Sequence, residues 1–146
     1  MLTPRSTSSL LGDTVDAVLD GSLPSDSNRL RVAENTDGKL LGWSFVAADA
    51  RADRVWELWY IGVHVDGGKG VGDTLLRDAE DVVRFAGGRL LTISVSSSSA
   101  NLHTRDAYES ADYVNCGIVP NYYGKGDDKY IFSKSFEQVH SRSATC

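Results

Sequence analysis

The chain has 146 residues and a mass of 15.8 kDa, with 41% hydrophobic and 24% charged residues. A chain of this size buries roughly two thirds of its unfolded surface, enough for a core without disulfide or metal staples; the mix excludes a disordered or collagen-like polymer. The net charge of −5 disfavours a nucleic-acid partner, which needs a basic patch, and no apolar run reaches the roughly 18–20 residues of a membrane span.

Met1 to Ser9 is polar and lacks the apolar stretch of a signal peptide. Cys116 and Cys146 have no C-x-x-C spacing and read as reduced thiols, so a cytoplasmic location is expected. His64, His103 and His140 are scattered, with no zinc-like spacing.

Leu11, Val15, Val18 and Leu19 recur at helical spacing before Gly21, which predicts a short amphipathic helix over about 9–20. Residues 22–28 read as a loop. Arg29–Glu34 and Lys39–Ala48 read as two strands joined by Asn35-Thr36-Asp37-Gly38, where Asp-Gly is a strong hairpin signal. Val55 to Val65 is the most strand-like run. Trp56, Leu58 and Tyr60 alternate there with Glu57, Trp59, Ile61 and Val63, and Gly62 suggests a bulge.

A Gly-rich turn, Asp66-Gly67-Gly68-Lys69-Gly70-Val71-Gly72-Asp73, leads into a helix. Its apolar stripe is Val71, Leu75, Ala79, Val82 and Ala86, widened by Leu76, Val83 and Phe85, with Arg77, Asp78, Glu80, Asp81 and Arg84 outside. Gly87-Gly88 stops it. Arg89–Val95 is a strand, Ser96–Ala100 a flexible small-residue loop, His103–Ala111 a short helix. Tyr113–Val119 and Lys129–Phe136 are strands around a loop from Pro120 to Asp128. The chain reads as one mixed α/β domain over 1–146, with loose ends at 1–8 and 137–146. The strand–helix–strand unit over 55–95 implies a right-handed parallel crossover.

The Gly-rich turn carries the first chemistry. Glycines at a helix N-terminus leave backbone N–H groups unshielded, and with the positive end of the helix dipole they form a seat for phosphate. The bland reading is a turn that binds nothing. A P-loop fails because Asp73 stands where Lys is needed, and a Rossmann turn fails at the same residue.

Gly67-Gly68-Lys69-Gly70-Val71-Gly72 resembles the end of Q/R-x-x-G-x-G/A, the acyl-CoA pyrophosphate loop of the GNAT superfamily of N-acyltransferases. Trp56-Glu57-Leu58-Trp59-Tyr60-Ile61-Gly62-Val63-His64-Val65 is similar to that family's thioester-carrying strand. Asn101, Thr104 and Tyr108 fit N-x-x-[AST]-x-x-x-Y, and Thr104 to Glu109 resembles T-R-x-F-Y-E. Tyr123 to Lys129 resembles the Y-x-x-G-D-D-K loop of one bacterial subgroup. The resemblance spans about 29–136. It departs at Gly67, where the family has Gln or Arg, and at Asp112, where it commonly has Gly.

The resemblance implies a GNAT-like mixed central sheet flanked by helices and an N-acetyltransferase that moves an acetyl group from acetyl-CoA to a primary amine by direct attack. A non-catalytic acyl-CoA-binding or sensing domain is the alternative. It implies that Gly68, Lys69, Gly70, Val71, Gly72 and Asp73 hold the pyrophosphate, that Ile61 and Val63 pair with pantetheine through main-chain atoms, and that Asn101 bonds the same arm. Tyr108 is the candidate acid, protonated at neutral pH; its bland reading is a packed aromatic. Glu57 is the candidate base, against an exposed strand carboxylate. His64 is a second candidate base, more simply a solvated histidine. Trp43 and Trp59 read as core, and Tyr122 and Tyr123, beside Asp127 and Asp128, as a lining that attracts a cationic amine or caps a turn. The expected partner is a small-molecule or peptide amine, with no nucleic acid and no membrane; a homodimer is in keeping with the family.

Overall fold

Alternating apolar residues, Gly punctuation and one strong helical stripe assemble in the computed structural model, which describes residues 27–65, 67–68 and 70–137, as one six-stranded sheet. The helix expected over 9–20 lies outside the described residues. The strands are β1 (Asn28–Glu34), β2 (Leu40–Ala48), β3 (Val55–Val63), β4 (Leu90–Ser96), β5 (Val114–Gly124) and β6 (Asp127–Ser135). The helices are α1 (Val71–Phe85), between β3 and β4, and α2 (Leu102–Ser110), which follows a 3-10 turn at Ser99–Asn101.

The strand order is β1-β2-β3-β4-β6-β5, and only β3 and β4 run parallel. Parallel neighbours need a crossover element, and α1 supplies it. Both helices cover one face. Leu76, Ala79 and Val83 of α1 and Tyr108 of α2 pack with Val46, Trp56, Leu58, Leu91, Ile93 and Phe132. Gly42 and Gly88 permit this closeness. A Cβ at Gly42 would lie 2.6 Å from Gly62 O and 2.8 Å from Leu75 Cδ1; at Gly88 it would lie 2.4 Å from Val83 Cγ1. A smaller cluster, Trp43 and Phe45 with Leu30, Ala47 and Tyr60, occupies the other face.

Five expectations are corrected. The irregularity in β3 falls at Trp59 rather than Gly62: Phe45 pairs with Tyr60 and Val46 with Leu58, so Trp59 is the extra residue. It flips the alternation, sending Tyr60 to the Trp43 cluster and Ile61 to the helix face, and leaves Trp59 exposed against the edge of Phe45 rather than in the core. In α1, Phe85 is 97% exposed and Glu80 is buried, the reverse of the expected pattern. Pro120–Asp128 is not a loop: β5 runs to Gly124 and turns through Gly126 (φ +79°) into β6. Cys116 is disulfide-bonded rather than a reduced thiol.

Candidate active site

β3 and β4 pair only from Val55↔Leu90 to Leu58↔Ile93. Beyond that point, among the described residues, β3 continues to Val63 paired with β2 alone, and β4 continues to Ser96 paired with β6 alone. The Trp59 bulge falls where the pairing stops, as expected of a device that bends a strand and ends a ladder. The edge of β3 holding Ile61 and Val63 therefore faces a cleft with its main-chain groups free of a strand partner. Such an edge accepts an extended chain of amides.

The Gly-rich turn sits at the mouth of this cleft. His64 is buried, not solvated; its N–H donates to Leu41 O at 2.7 Å, and its own carbonyl accepts from Gly67 N at 2.8 Å. A Cβ at Gly67 would lie 2.9 Å from His64 O and 3.0 Å from Leu41 O, so the position has no room for the side chain that the resembled family carries. Gly68 (φ +79°) and Gly70 (φ +88°) adopt left-handed conformations that cost a side-chain-bearing residue about 1–2 kcal/mol. Gly70 caps α1 and, having no side chain, makes no side-chain cap bond; among the described residues no side-chain hydrogen bond to the first-turn amides is found. Those donors around Val71, Gly72 and Asp73 are open to an anion. Asp73 is itself paired with Arg77 at 3.0 Å, which offsets its charge beside that seat. Asn101 ends the 3-10 turn at the start of α2 without using its side chain as a cap. Lys69 lies outside the described residues.

Tyr108 and Glu57 lie on opposite faces of the sheet. Tyr108 is 6% exposed, its ring against Tyr113 (centroids 5.8 Å) and Phe132 (6.0 Å). Burial pushes its phenol up to about 12. Glu57 is half-buried, between Trp56 and Leu58, which both face the helices. It points to the other side, toward the half-exposed Tyr123, whose phenol is raised by burial and then by Tyr122, Asp127 and Glu57.

Several site features were not legible as roles in the sequence. The Ser96–Ala100 segment, expected to be flexible, is tied down. Ser96 Oγ donates to Asp127 Oδ1, Asp128 N donates to Ser97 Oγ at 2.8 Å, and Arg105 Nη1 donates to the carbonyls of Ser96 (2.9 Å) and Ser98 (2.8 Å). The serine run and the Asp127-Asp128 turn thus form one rigid rim; only the unusual density of small hydroxyls hinted at it. Between the helices lies a cavity of about 340 Å³, bordered by Asp73, Arg77, Glu80, Ala111 and Lys134. At its wall, buried Glu80 accepts from Tyr113 Oη at 2.8 Å and from Lys134 Nζ at 3.2 Å.

A sheet split between two parallel strands, with a glycine-capped helix at the split, is the fold of the GNAT acetyltransferases. No family model and no curated protein matches this sequence, but solved structures do. A Desulfovibrio desulfuricans protein assigned to the acetyltransferases of the GNAT family superposes with a TM-score of 0.74 at 25% identity, over 82% of this chain and 74% of that one. Nourseothricin acetyltransferase superposes at 0.67 with 26% identity, over 79% of this chain and 69% of that one. YncA of Salmonella typhimurium, solved with its cofactor acetyl-CoA, reaches 0.71 at 17% identity, over 90% of this chain and 78% of that one. The expected GNAT-like mixed sheet is therefore the fold observed. Among the described residues no helix is long and apolar enough to cross a membrane.

Proposed function

We propose that the protein is an acetyl-CoA-dependent N-acetyltransferase acting on a primary amine. The observation that carries this reading is the cleft between β3 and β4, with an open main-chain edge on one side and bare helix amides at its mouth. The two neighbours at 25% and 26% identity are both acetyltransferases by name, one of nourseothricin.

In this reading the amides of Gly68 through Asp73, including Lys69, hold the pyrophosphate. Pantetheine lies along Ile61 and Val63, bonded also by Asn101. The amine enters from the Glu57 face, where Tyr123 and Asp127 add ring surface and negative charge that suit a cation. Glu57, directly or through water, takes the amine proton. The nitrogen attacks the thioester carbonyl, the C–N bond forms and the C–S bond breaks. Tyr108, on the opposite face, gives its proton to the departing sulfur, and the second proton that the nitrogen sheds on becoming an amide restores the phenol through solvent. Burial that raises the phenol also raises a thiol in the same dry setting, so the proton moves between groups shifted in the same direction. No covalent enzyme intermediate is needed.

Residues 1–146 are taken as one such domain, homodimeric by the resemblance alone; light scattering tests the dimer. The decisive experiment is a thermal-shift screen with acetyl-CoA, ATP and NAD, followed by CoA-thiol release across a panel of amines. Stabilisation by acetyl-CoA with thiol release supports the reading. Stabilisation without release points to a sensing domain instead, and stabilisation by ATP or NAD alone overturns both.

A further inference from the structure

We propose that Glu80, Lys134 and Tyr113 form a buried brace that positions Tyr108, a role that rests on reading Tyr108 as the proton donor. Glutamate is seldom fully buried unless paired, and Glu80 is 6% exposed, on the α1 face that also carries Leu76, Ala79 and Val83. Its carboxylate is shared. One oxygen accepts from the Tyr113 hydroxyl at 2.8 Å, and both accept from Lys134 Nζ at 3.2 Å. Lys134 also lies over the Tyr113 ring, 5.5 Å from its centroid. The Tyr113 ring is thus held at its hydroxyl and on its face, and it packs against Tyr108.

The backbone adds a second hold. Tyr113 N donates to Tyr108 O at 3.0 Å and Asp112 N to Glu109 O at 3.1 Å, the paired bonds of a Schellman cap, with Asp112 left-handed at φ +71°. An apolar contact between the two residues joined by the wider-spanning bond (6→1) commonly accompanies that cap, and here it is Tyr108 on Tyr113. By contrast, the Tyr108 hydroxyl has no hydrogen-bond partner among the described residues, so packing alone sets its direction. Glu80 shares α1 with the glycine-capped end, about 14 Å along the axis at 1.5 Å per residue. The brace therefore ties the donor to the same rigid helix that forms the anion seat.

The test uses the full chain with Tyr113→Phe, Glu80→Gln and Lys134→Met, each nearly isosteric. In the free protein, NMR of ring-labelled tyrosine, with Tyr108 assigned through Tyr108→Phe, reads the donor without any substrate. The brace predicts that each variant moves the Tyr108 resonance; an unmoved resonance in all three overturns it. In turnover, Tyr113→Phe is expected to lower kcat on the order of tenfold, since small misplacements of a reacting group are costly, with KM for acetyl-CoA within about twofold. In the Tyr108→Phe background the same change is expected to cost nothing further. An equal loss in both backgrounds means that Tyr113 acts independently of Tyr108 and overturns the proposal. If the parent releases no CoA thiol with any amine, the acetyltransferase reading fails, while the resonance still decides the brace.

Discussion

Tyr108 packs at a tilt against Phe132 with ring centroids 6.0 Å apart, and Phe132 is the cross-strand partner of Ile93, the last β4 residue joined to β3. The tyrosine therefore lies level with the point where the sheet splits, one strand away from the cleft. Removing only its hydroxyl keeps this packing. Tyr108→Phe is expected to lower kcat by about 10²-fold, the lower end for a lost proton donor, while calorimetry gives an acetyl-CoA affinity close to the parent's. Unchanged turnover removes Tyr108 from the chemistry.

Glu57 stands on the other face, where Arg51 and Tyr123 both sense its charge. If it takes the amine proton, Glu57→Gln slows turnover by roughly 10²-fold. The loss is expected to shrink as pH rises and more of the amine is already deprotonated. A profile that superposes on the parent's after scaling assigns the base elsewhere.

The Gly-rich turn separates room from conformation. At Gly67 a methyl group meets two backbone carbonyls, which cannot swing aside, so Gly67→Ala is expected to lower stability by about 1–3 kcal/mol through overpacking. Gly67→Gln, which restores the residue type of the resembled family, is expected to fail in the same way rather than tighten acetyl-CoA binding. At Gly70 the space is open and only the left-handed backbone resists. Gly70→Ala is therefore expected to cost about 1–2 kcal/mol and to weaken acetyl-CoA by misaiming the first amides of α1. Urea unfolding and calorimetry on the three variants check both statements.

The strands and α1 were legible because their apolar periods are clean and their ends carry Gly. The split of the sheet was not, because nothing in the alternation of β3 says where its partner leaves. Gly62, the residue with the greatest backbone freedom, is where the sequence suggests the bulge, yet the register slips at Trp59, whose exposed ring meets the edge of buried Phe45. Glu80 reads from the sequence as solvent-facing because charge usually is; only the later residues Tyr113 and Lys134 make its burial tolerable, and no local pattern links three positions so far apart. The hairpin through Gly124 looked like a loop because Pro120, Asn121 and three glycine-adjacent polar residues mask an extended path held by Asn121 and Asp128 side chains.

Asp112 occupies the left-handed position that closes α2, where glycine is the usual choice. Its departure from the resembled family is therefore a matter of strain rather than of chemistry. Asp112→Gly is expected to raise stability by about 0.5–1 kcal/mol, the cost of the left-handed form for Asp less the extra freedom of an unfolded glycine. Asp112→Val, which is β-branched, is expected to lower it by more than that. Both keep Tyr113 N on Tyr108 O, so neither is expected to change kcat more than about twofold if the cap survives.

Alkali offers a test of the buried phenols that needs no substrate. Tyr108 has its pKa raised by burial from about 10 to about 12, and Tyr113 is raised by burial and by the Glu80 carboxylate it donates to. A phenol raised in the folded state binds its proton more tightly there than in the unfolded chain. Its contribution is whole below about pH 10 and disappears as pH climbs through about 12. Stability in urea is therefore expected to fall across that window, with an unfolded chain that releases protons the folded one keeps. Tyr108→Phe removes one such group, so its slope against pH is expected to be shallower by up to one proton, about 1.4 kcal/mol per pH unit. Identical slopes for parent and variant would place the Tyr108 hydroxyl in water.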